Sequence, residues 1–257
     1  MSNYLDHLNL SQRKAVEQVT GPLMVIAGAG SGKTRVLTYR IVHLLKIGVD
    51  PFNILSLTFT NKAAKEMKDR VEKIVGPEAK NIWMGTFHSV FAKILRYEAD
   101  RIGYPTNFTI YDTDDSRALL RRIIKTINLD KDIYKVNVIQ SRISSFKNNL
   151  ITVKAYENNS ELKTQDDAAH RPQMGLIYDT YVKECFKSGA MDFDDLLLKT
   201  NELLFRHPDI LHKYQHRFHY VLVDEYQDTN HSQYLIVKAL AALKENICVV
   251  GDDAQSI

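Results

Sequence analysis

Short apolar runs alternate with stretches of helical period along this chain. Residues 23–27, 54–60, 82–87, 220–225 and 246–251 are rich in apolar and β-branched side chains, the composition of strands. Helical patterns separate several of them: after the first run, Val36, Leu37, Arg40, Ile41, Leu44 and Leu45 hold one face at helical spacing. Strands alternating with helices predict βαβ units and a parallel sheet. Between about 111 and 190 the strand-like runs thin out, and Leu119, Leu120, Ile123, Ile124 and Ile127 follow a helical period. The polar stretch from Tyr156 to Pro172 suits a surface loop. The pattern therefore predicts an α/β domain with helices on both faces of a parallel sheet, over residues 1–110 and 191–257. A mostly helical insertion over 111–190 splits it.

The run Leu23-Met24-Val25-Ile26 reads as a buried strand, and the turn after it carries chemistry. Ala27-Gly28-Ala29-Gly30-Ser31-Gly32-Lys33-Thr34 is a glycine-rich turn from strand to helix. Such a turn aims several backbone N–H groups and a helix N-terminus at one point, a nest for phosphate oxygens. Gly28, Ala29, Gly30, Ser31, Gly32, Lys33, Thr34 and Arg35 are the expected nucleotide contacts. Lys33 reaches the β- and γ-phosphates, and the Thr34 hydroxyl can ligate Mg²⁺. The strict pattern has glycine at position 27, where this chain has Ala27.

Tyr220-Val221-Leu222-Val223-Asp224-Glu225 is a second apolar strand, ending in two acids. In open parallel sheets ligands gather at the carboxyl ends of strands, which brings these acids beside the phosphate turn. Asp224 is suited to Mg²⁺, and Glu225 to orienting and deprotonating the water that attacks the γ-phosphate. A third run, Val249-Val250-Gly251-Asp252-Asp253-Ala254-Gln255, repeats the design and puts Gln255 in place to sense the γ-phosphate.

Composition narrows the class. At 257 residues, 44% hydrophobic and 25% charged, the chain reads as an ordinary soluble globular protein with a sizeable core. Its net charge of +3 gives no basic excess, so any nucleic-acid binding must come from local patches. Two distant cysteines, Cys185 and Cys248, support neither a disulfide scaffold nor a zinc site and fit a cytoplasmic setting. No run approaches membrane-spanning length, and Ser2-Asn3-Tyr4 does not open a signal peptide. His207, His212, His216 and His219 include metal-like spacings, but no carboxylate or cysteine joins them at a suitable interval, so a polar helix is expected there.

Several further runs fall in a fixed order. They are Leu8-Asn9-Leu10-Ser11-Gln12, the phosphate turn, Thr58-Phe59-Thr60-Asn61-Lys62-Ala63-Ala64, Gly85-Thr86-Phe87-His88-Ser89 and Asp192-Phe193-Asp194-Asp195-Leu196. Val223-Asp224-Glu225-Tyr226-Gln227-Asp228-Thr229-Asn230 and Gly251-Asp252-Asp253-Ala254-Gln255-Ser256-Ile257 complete them. With these motifs, spread over residues 8 to 257, the chain resembles the UvrD/PcrA/Rep-like group of superfamily 1 DNA helicases, specifically the N-terminal half.

The resemblance implies a RecA-like phosphate-loop domain that binds ATP and Mg²⁺. Gln12 looks like the glutamine that reads adenine, whose N6 and N7 an amide can pair bidentately. Phe59 and Phe87 match positions of a single-strand groove, where an aromatic face stacks on a base. Asn61, Lys62, Thr86 and His88 look like backbone or base contacts beside them, and Phe193 is a candidate of the same kind. Its acidic neighbours are expected to cap or brace the fold. In the implied mechanism Lys33, Thr34 and Asp224 hold Mg·ATP, Glu225 activates water, and Gln255 couples the γ-phosphate to domain closure.

The parent activity implied is ATP-driven 3′ to 5′ translocation on single-stranded DNA with unwinding at single-strand/duplex junctions. The sequence stops at Ile257 inside a motif, and a second RecA-like domain, which brings arginine fingers worth roughly 10³–10⁵ in rate, is expected to follow. The chain alone is expected not to unwind duplex. An ATP-dependent switch or binding module without motor activity, or another phosphate-loop ATPase such as a transporter or kinase, are the rival readings. The aromatic-bearing runs at 58–64 and 85–89 weigh against both.

Overall fold

In the computed structural model, which describes residues 4–28 and 30–252, each of the five apolar runs forms a strand. The strands in chain order are β1 (Leu23–Ile26), β2 (Ile54–Thr58), β3 (Trp83–Thr86), β4 (Thr109–Tyr111), β5 (Ala190–Asp192), β6 (Tyr220–Val223) and β7 (Ile247–Gly251). Helices α1 (Leu10–Glu17), α2 (Lys33–Lys46), α3 (Asn61–Val75) and α4 (Phe87–Glu98) come first. They are followed by α5 (Thr113–Thr126), α6 (Val136–Asn148), α7 (Val153–Glu157), α8 (Ser160–Ala168), α9 (Met174–Lys187) and α10 (Phe193–Arg206). Last come α11 (Pro208–Arg217) and α12 (His231–Ala241).

Contacts divide the chain into two units. One contains the residues up to Val90, His207–Thr229 and those from Gln233 onward; the other contains Phe91–Arg206 with Asn230–Ser232. The first holds a five-stranded, all-parallel sheet in the order β1-β7-β6-β2-β3. This is an α/β, RecA-like arrangement, and parallel pairing sends the carboxyl ends of all five strands to one edge. Its core joins Leu37, Ile41 and Leu44 of α2 and Met67 and Val71 of α3 to Ile54, Leu222, Cys248 and Val250 of the sheet.

Two sequence expectations change here. β1 is an edge strand rather than a buried one: Met24 and Ile26 are each 59% exposed, while Leu23 and Val25 pack on the core. β2 stops at Thr58 rather than running to 60, because the Thr60 hydroxyl accepts the Ala63 N–H and caps α3.

The second unit is mostly helical. Leu119, Leu120, Ile123 and Ile124 of α5 meet Ile143 and Phe146 of α6 and Ile177, Tyr178 and Tyr181 of α9. It is wider than the 111–190 stretch marked by the thinning of strand-like runs, and it includes a two-stranded parallel sheet of β4 and β5. The polar stretch 156–172 is not a loop. Its N-terminal part is ordered by Asn159, whose side chain accepts the Leu162 N–H and starts α8, and by buried Tyr156, whose hydroxyl donates to Asp166 Oδ2 at 3.1 Å. Polarity alone misreads a helix fixed by caps, a buried ring and an ion pair between Arg142 and the buried Asp166.

The acidic run at 192–195 caps and braces this unit. Asp195 N–H donates to Asp192 Oδ1 at 2.8 Å, and Asp192 N–H donates back to Asp195 Oδ2 at 3.2 Å, a reciprocal cap on α10. Between the two carboxylates lies the wholly buried Lys147 ammonium, 2.7 Å from Asp192 and 2.9 Å from Asp195.

Candidate nucleotide and DNA site

The turn between β1 and α2 has the backbone its glycines allow. Gly30 (φ 76°) and Gly32 (φ 88°) lie in the left-handed region, which costs a side-chain-bearing residue energy. At Gly32 a Cβ would also stand 2.7 Å from Gln12 Nε2 and displace that side chain. Ala27 explains its own departure from the glycine pattern. Its φ is not positive, and its N–H extends the sheet by donating to Gly251 O at 3.1 Å. Gly32 is the N-cap of α2 and offers no side chain to the first-turn N–H groups, which leaves a helix N-terminus suited to an anion.

Lys33 and Thr34 open α2 beside the carboxyl ends of β6 and β7. The Lys33 ammonium is buried, 3.0 Å from Asp252 Oδ2 and 3.7 Å from Glu225 Oε2. The Thr34 hydroxyl donates to Asp224 Oδ2 at 3.3 Å. Burial, and then the neighbouring Glu225 charge, push the Asp224 carboxyl up, against hydrogen bonds from the Glu225 N–H and Thr34 and the charge of Lys33. A hydroxyl and a buried carboxylate side by side are hard oxygen donors, and a carboxylate so short of positive charge fits a divalent cation.

Glu225 follows β6 in the left-handed region (φ 47°, ψ 48°), a strained setting for a residue with a side chain. Among the bonds that hold the segment, Glu225 N–H donates to Asp224 Oδ1 at 3.0 Å, and Gln227 Nε2 donates to Glu225 Oε2 at 2.8 Å.

Gln12 comes to the same turn from α1, where it closes a reciprocal cap with Asn9 and donates from Nε2 to Ser31 O at 3.0 Å. Its helix is moored by Arg40, which sits 1% exposed in α2 and donates to Ala15 O at 2.7 Å and to Gln18 O. Arg35, by contrast, is exposed, its guanidinium 5.8 Å from the Tyr39 ring. Ala29 and Gln255 lie outside the described residues.

The expected DNA contacts separate into a surface set and a supporting set. Phe59 is partly exposed, and Asn61 and Lys62 are exposed at the first turn of α3, with His88 partly exposed at the start of α4. Phe87 is 1% exposed and packs under Phe59, ring centroids 5.3 Å apart at 52°. Thr86 is buried and accepts the Ser89 N–H at 3.2 Å. Phe87 and Thr86 are therefore placed to brace Phe59 and α4 rather than to meet a strand. Phe193 belongs to the other unit, half exposed at the first turn of α10.

Sequence reasoning passed over Gln227, Asp252 and the buried role of Arg40. Asp252 was findable, since it is one more acid at the carboxyl end of a parallel strand. Arg40 sits at a core position of the α2 face, which signals a buried charge with partners elsewhere.

A family model of the UvrD/REP helicase N-terminal domain matches residues 8–257. The ATP-dependent DNA helicase PcrA of Staphylococcus aureus (strain Mu50) is 46% identical over 264 aligned residues, covering all of this chain and 34% of that protein. PcrA of Staphylococcus epidermidis (strain ATCC 35984) is likewise 46% identical, with 35% of its length covered. This chain thus spans about a third of the length of these relatives. It belongs to the UvrD/REP helicase family, of which it carries the N-terminal domain.

Proposed function

We propose that this chain is the ATP-binding part of an ATP-dependent DNA helicase that moves 3′ to 5′ along single-stranded DNA and opens duplex at junctions. The observation that carries the reading is the convergence of three chain segments on one point. Lys33 lies 3.0 Å from Asp252 and 3.7 Å from Glu225, and Thr34 lies 3.3 Å from Asp224. The triphosphate lies on the α2 N-terminus, with the Lys33 ammonium exchanging its carboxylate partners for β- and γ-phosphate oxygens. Thr34 and Asp224 would hold Mg²⁺, which neutralises phosphate charge when bound. Glu225 orients the attacking water and takes its proton, and Gln12 pairs with the adenine edge. Gln255 is assigned the coupling of γ-phosphate to domain closure.

Single-stranded DNA lies on the surface made by Phe59, Asn61, Lys62 and His88, with Phe87 and Thr86 behind it. Transition-state charge on the γ-phosphate calls for arginines, and the buried Arg40 of α2 is committed to α1, while Arg35 is exposed. A second RecA-like domain is the proposed source, so the chain alone turns over slowly and does not unwind. Buried free thiols at Cys185 and Cys248 suit a reducing, cytoplasmic setting. Among the described residues, no helix is long and apolar enough to cross a membrane.

The test is single-turnover ATP hydrolysis and fluorescent single-strand binding by this chain, its Lys33→Ala and Glu225→Gln variants, and the longer gene product. Slow, Lys33- and Glu225-dependent hydrolysis here, with DNA-stimulated turnover in the longer protein, is expected. Nucleotide binding with no DNA affinity in either protein overturns the helicase reading in favour of a nucleotide switch.

A further inference from the structure

We infer that Gln227 is a positioning residue for ATP hydrolysis: its amide fixes the Glu225 carboxylate and ties it to the exit of β7. The inference rests on the assignment of Glu225 as the group that activates water.

The two ends of the Gln227 side chain are used for different purposes. Its Nε2 donates to Glu225 Oε2 at 2.8 Å, and its Oε1 accepts the backbone N–H of Asp252 at 3.0 Å. One planar amide thus spans the turn after β6 and the turn after β7. The second bond depends on Gly251, where a Cβ would stand 2.9 Å from Gln227 Oε1. The residue next in line, Asp252, is the one whose carboxylate holds Lys33.

Glu225 needs such a restraint. Its side chain is 39% exposed, and its backbone is in the left-handed region, so neither packing nor ordinary backbone preference fixes the carboxylate. Lys33 is 3.7 Å away, too long for a directional hydrogen bond. The Gln227 amide is therefore the directional contact that sets where Glu225 Oε2 lies and leaves its other oxygen for water. Gln227 is also linked to β7, so a shift of the β7 exit as Asp252 releases Lys33 moves Gln227 and the carboxylate with it.

The test is a double-mutant cycle on this chain, with single-turnover hydrolysis and equilibrium binding of a fluorescent ATP read separately. Gln227→Leu removes both bonds at similar volume. Gln227→Glu keeps an acceptor for Asp252 N–H and loses the donor to Glu225, which serves as the second variant if the first folds poorly. Both are expected to lower the chemical rate roughly 10- to 100-fold, the cost of a misplaced group. Nucleotide affinity stays within about threefold in Gln227→Leu and weakens in Gln227→Glu, whose added charge repels phosphate. In a Glu225→Gln background Gln227→Leu should lower the residual rate no further.

An unchanged rate in both Gln227 variants overturns the inference while leaving Glu225 in place. The same holds for an equal loss with and without Glu225, which marks a structural role. A wild-type chain whose hydrolysis is indifferent to Glu225→Gln overturns the Glu225 assignment itself, and the inference with it.

Discussion

The Lys33 ammonium lies 3.0 Å from the Asp252 carboxylate, and both side chains are nearly sealed from solvent. That pairing uses the same ammonium that a γ-phosphate would claim. On the proposed nucleotide site, Asp252 would compete with the triphosphate, and a phosphate that binds would first displace it. Asp252→Asn keeps the shape of the side chain and removes its charge. We expect it to tighten binding of Mg·ATP about three- to tenfold, since charge repulsion near phosphate is relieved. Titration with a fluorescent ATP analogue reads this directly, with Lys33→Ala as the control that abolishes binding. Unchanged or weaker affinity in Asp252→Asn refutes the competition.

Adenine selectivity is expected to depend on a residue that touches no nucleotide. Arg40 anchors the end of α1 through the carbonyls of Ala15 and Gln18, and α1 is what holds Gln12 against Ser31. Arg40→Leu removes the donor to both carbonyls, at a cost of about 1–3 kcal/mol in all, and loosens the helix. The expected result is a narrowed preference for ATP over GTP, while affinity for inorganic triphosphate is maintained. Competition titrations with the three ligands decide it; equal weakening of all three places the effect in the phosphate turn instead.

Much of this was legible in the chain because it is local. The five strands of the large sheet are continuous apolar runs, and the phosphate turn is spelled out by Gly28, Gly30 and Gly32 beside Lys33 and Thr34. What escaped depends on distant partners. The edge position of β1 is set by the strand order, which no period of 2 or 3.6 encodes. Arg40 looked like part of an apolar face because its carbonyl partners lie more than twenty residues away. Phe59 and Phe87 read alike, yet one supports the other, a distinction fixed only when β2 and β3 pair.

That difference between the two rings gives a paired prediction. Phe59→Ala should lower affinity for single-stranded DNA by the worth of one stacked base, about 1–3 kcal/mol, and leave thermal stability little changed. Phe59→Trp should retain binding. Phe87→Ala should instead act on the fold, at about 3–5 kcal/mol for a large buried aromatic. Fluorescence anisotropy with a labelled oligonucleotide and thermal melts on the same samples separate the two. Equal destabilisation by both changes removes Phe59 from the proposed DNA surface.

The last prediction concerns the buried charges of the helical unit. Lys147 is shared between Asp192, which it holds below the ordinary carboxylate range, and Asp195. Burial and then the Asp192 charge push Asp195 up from 3.8 to about 6, although Lys147 opposes them. Between those values the folded chain holds a proton on Asp195 that the unfolded chain has released. Stability contributed by this group therefore falls as pH rises from about 4 to 6. Asp192 acts in the opposite sense and lower down, losing its contribution only as pH drops below 3.8. Asp195→Asn should flatten the decline between pH 4.5 and 6.5, because the amide carries no proton to release. Urea unfolding followed by circular dichroism at both values checks it; a slope identical to wild type means that Asp195 stays ionised throughout, with Lys147 able to balance both carboxylates.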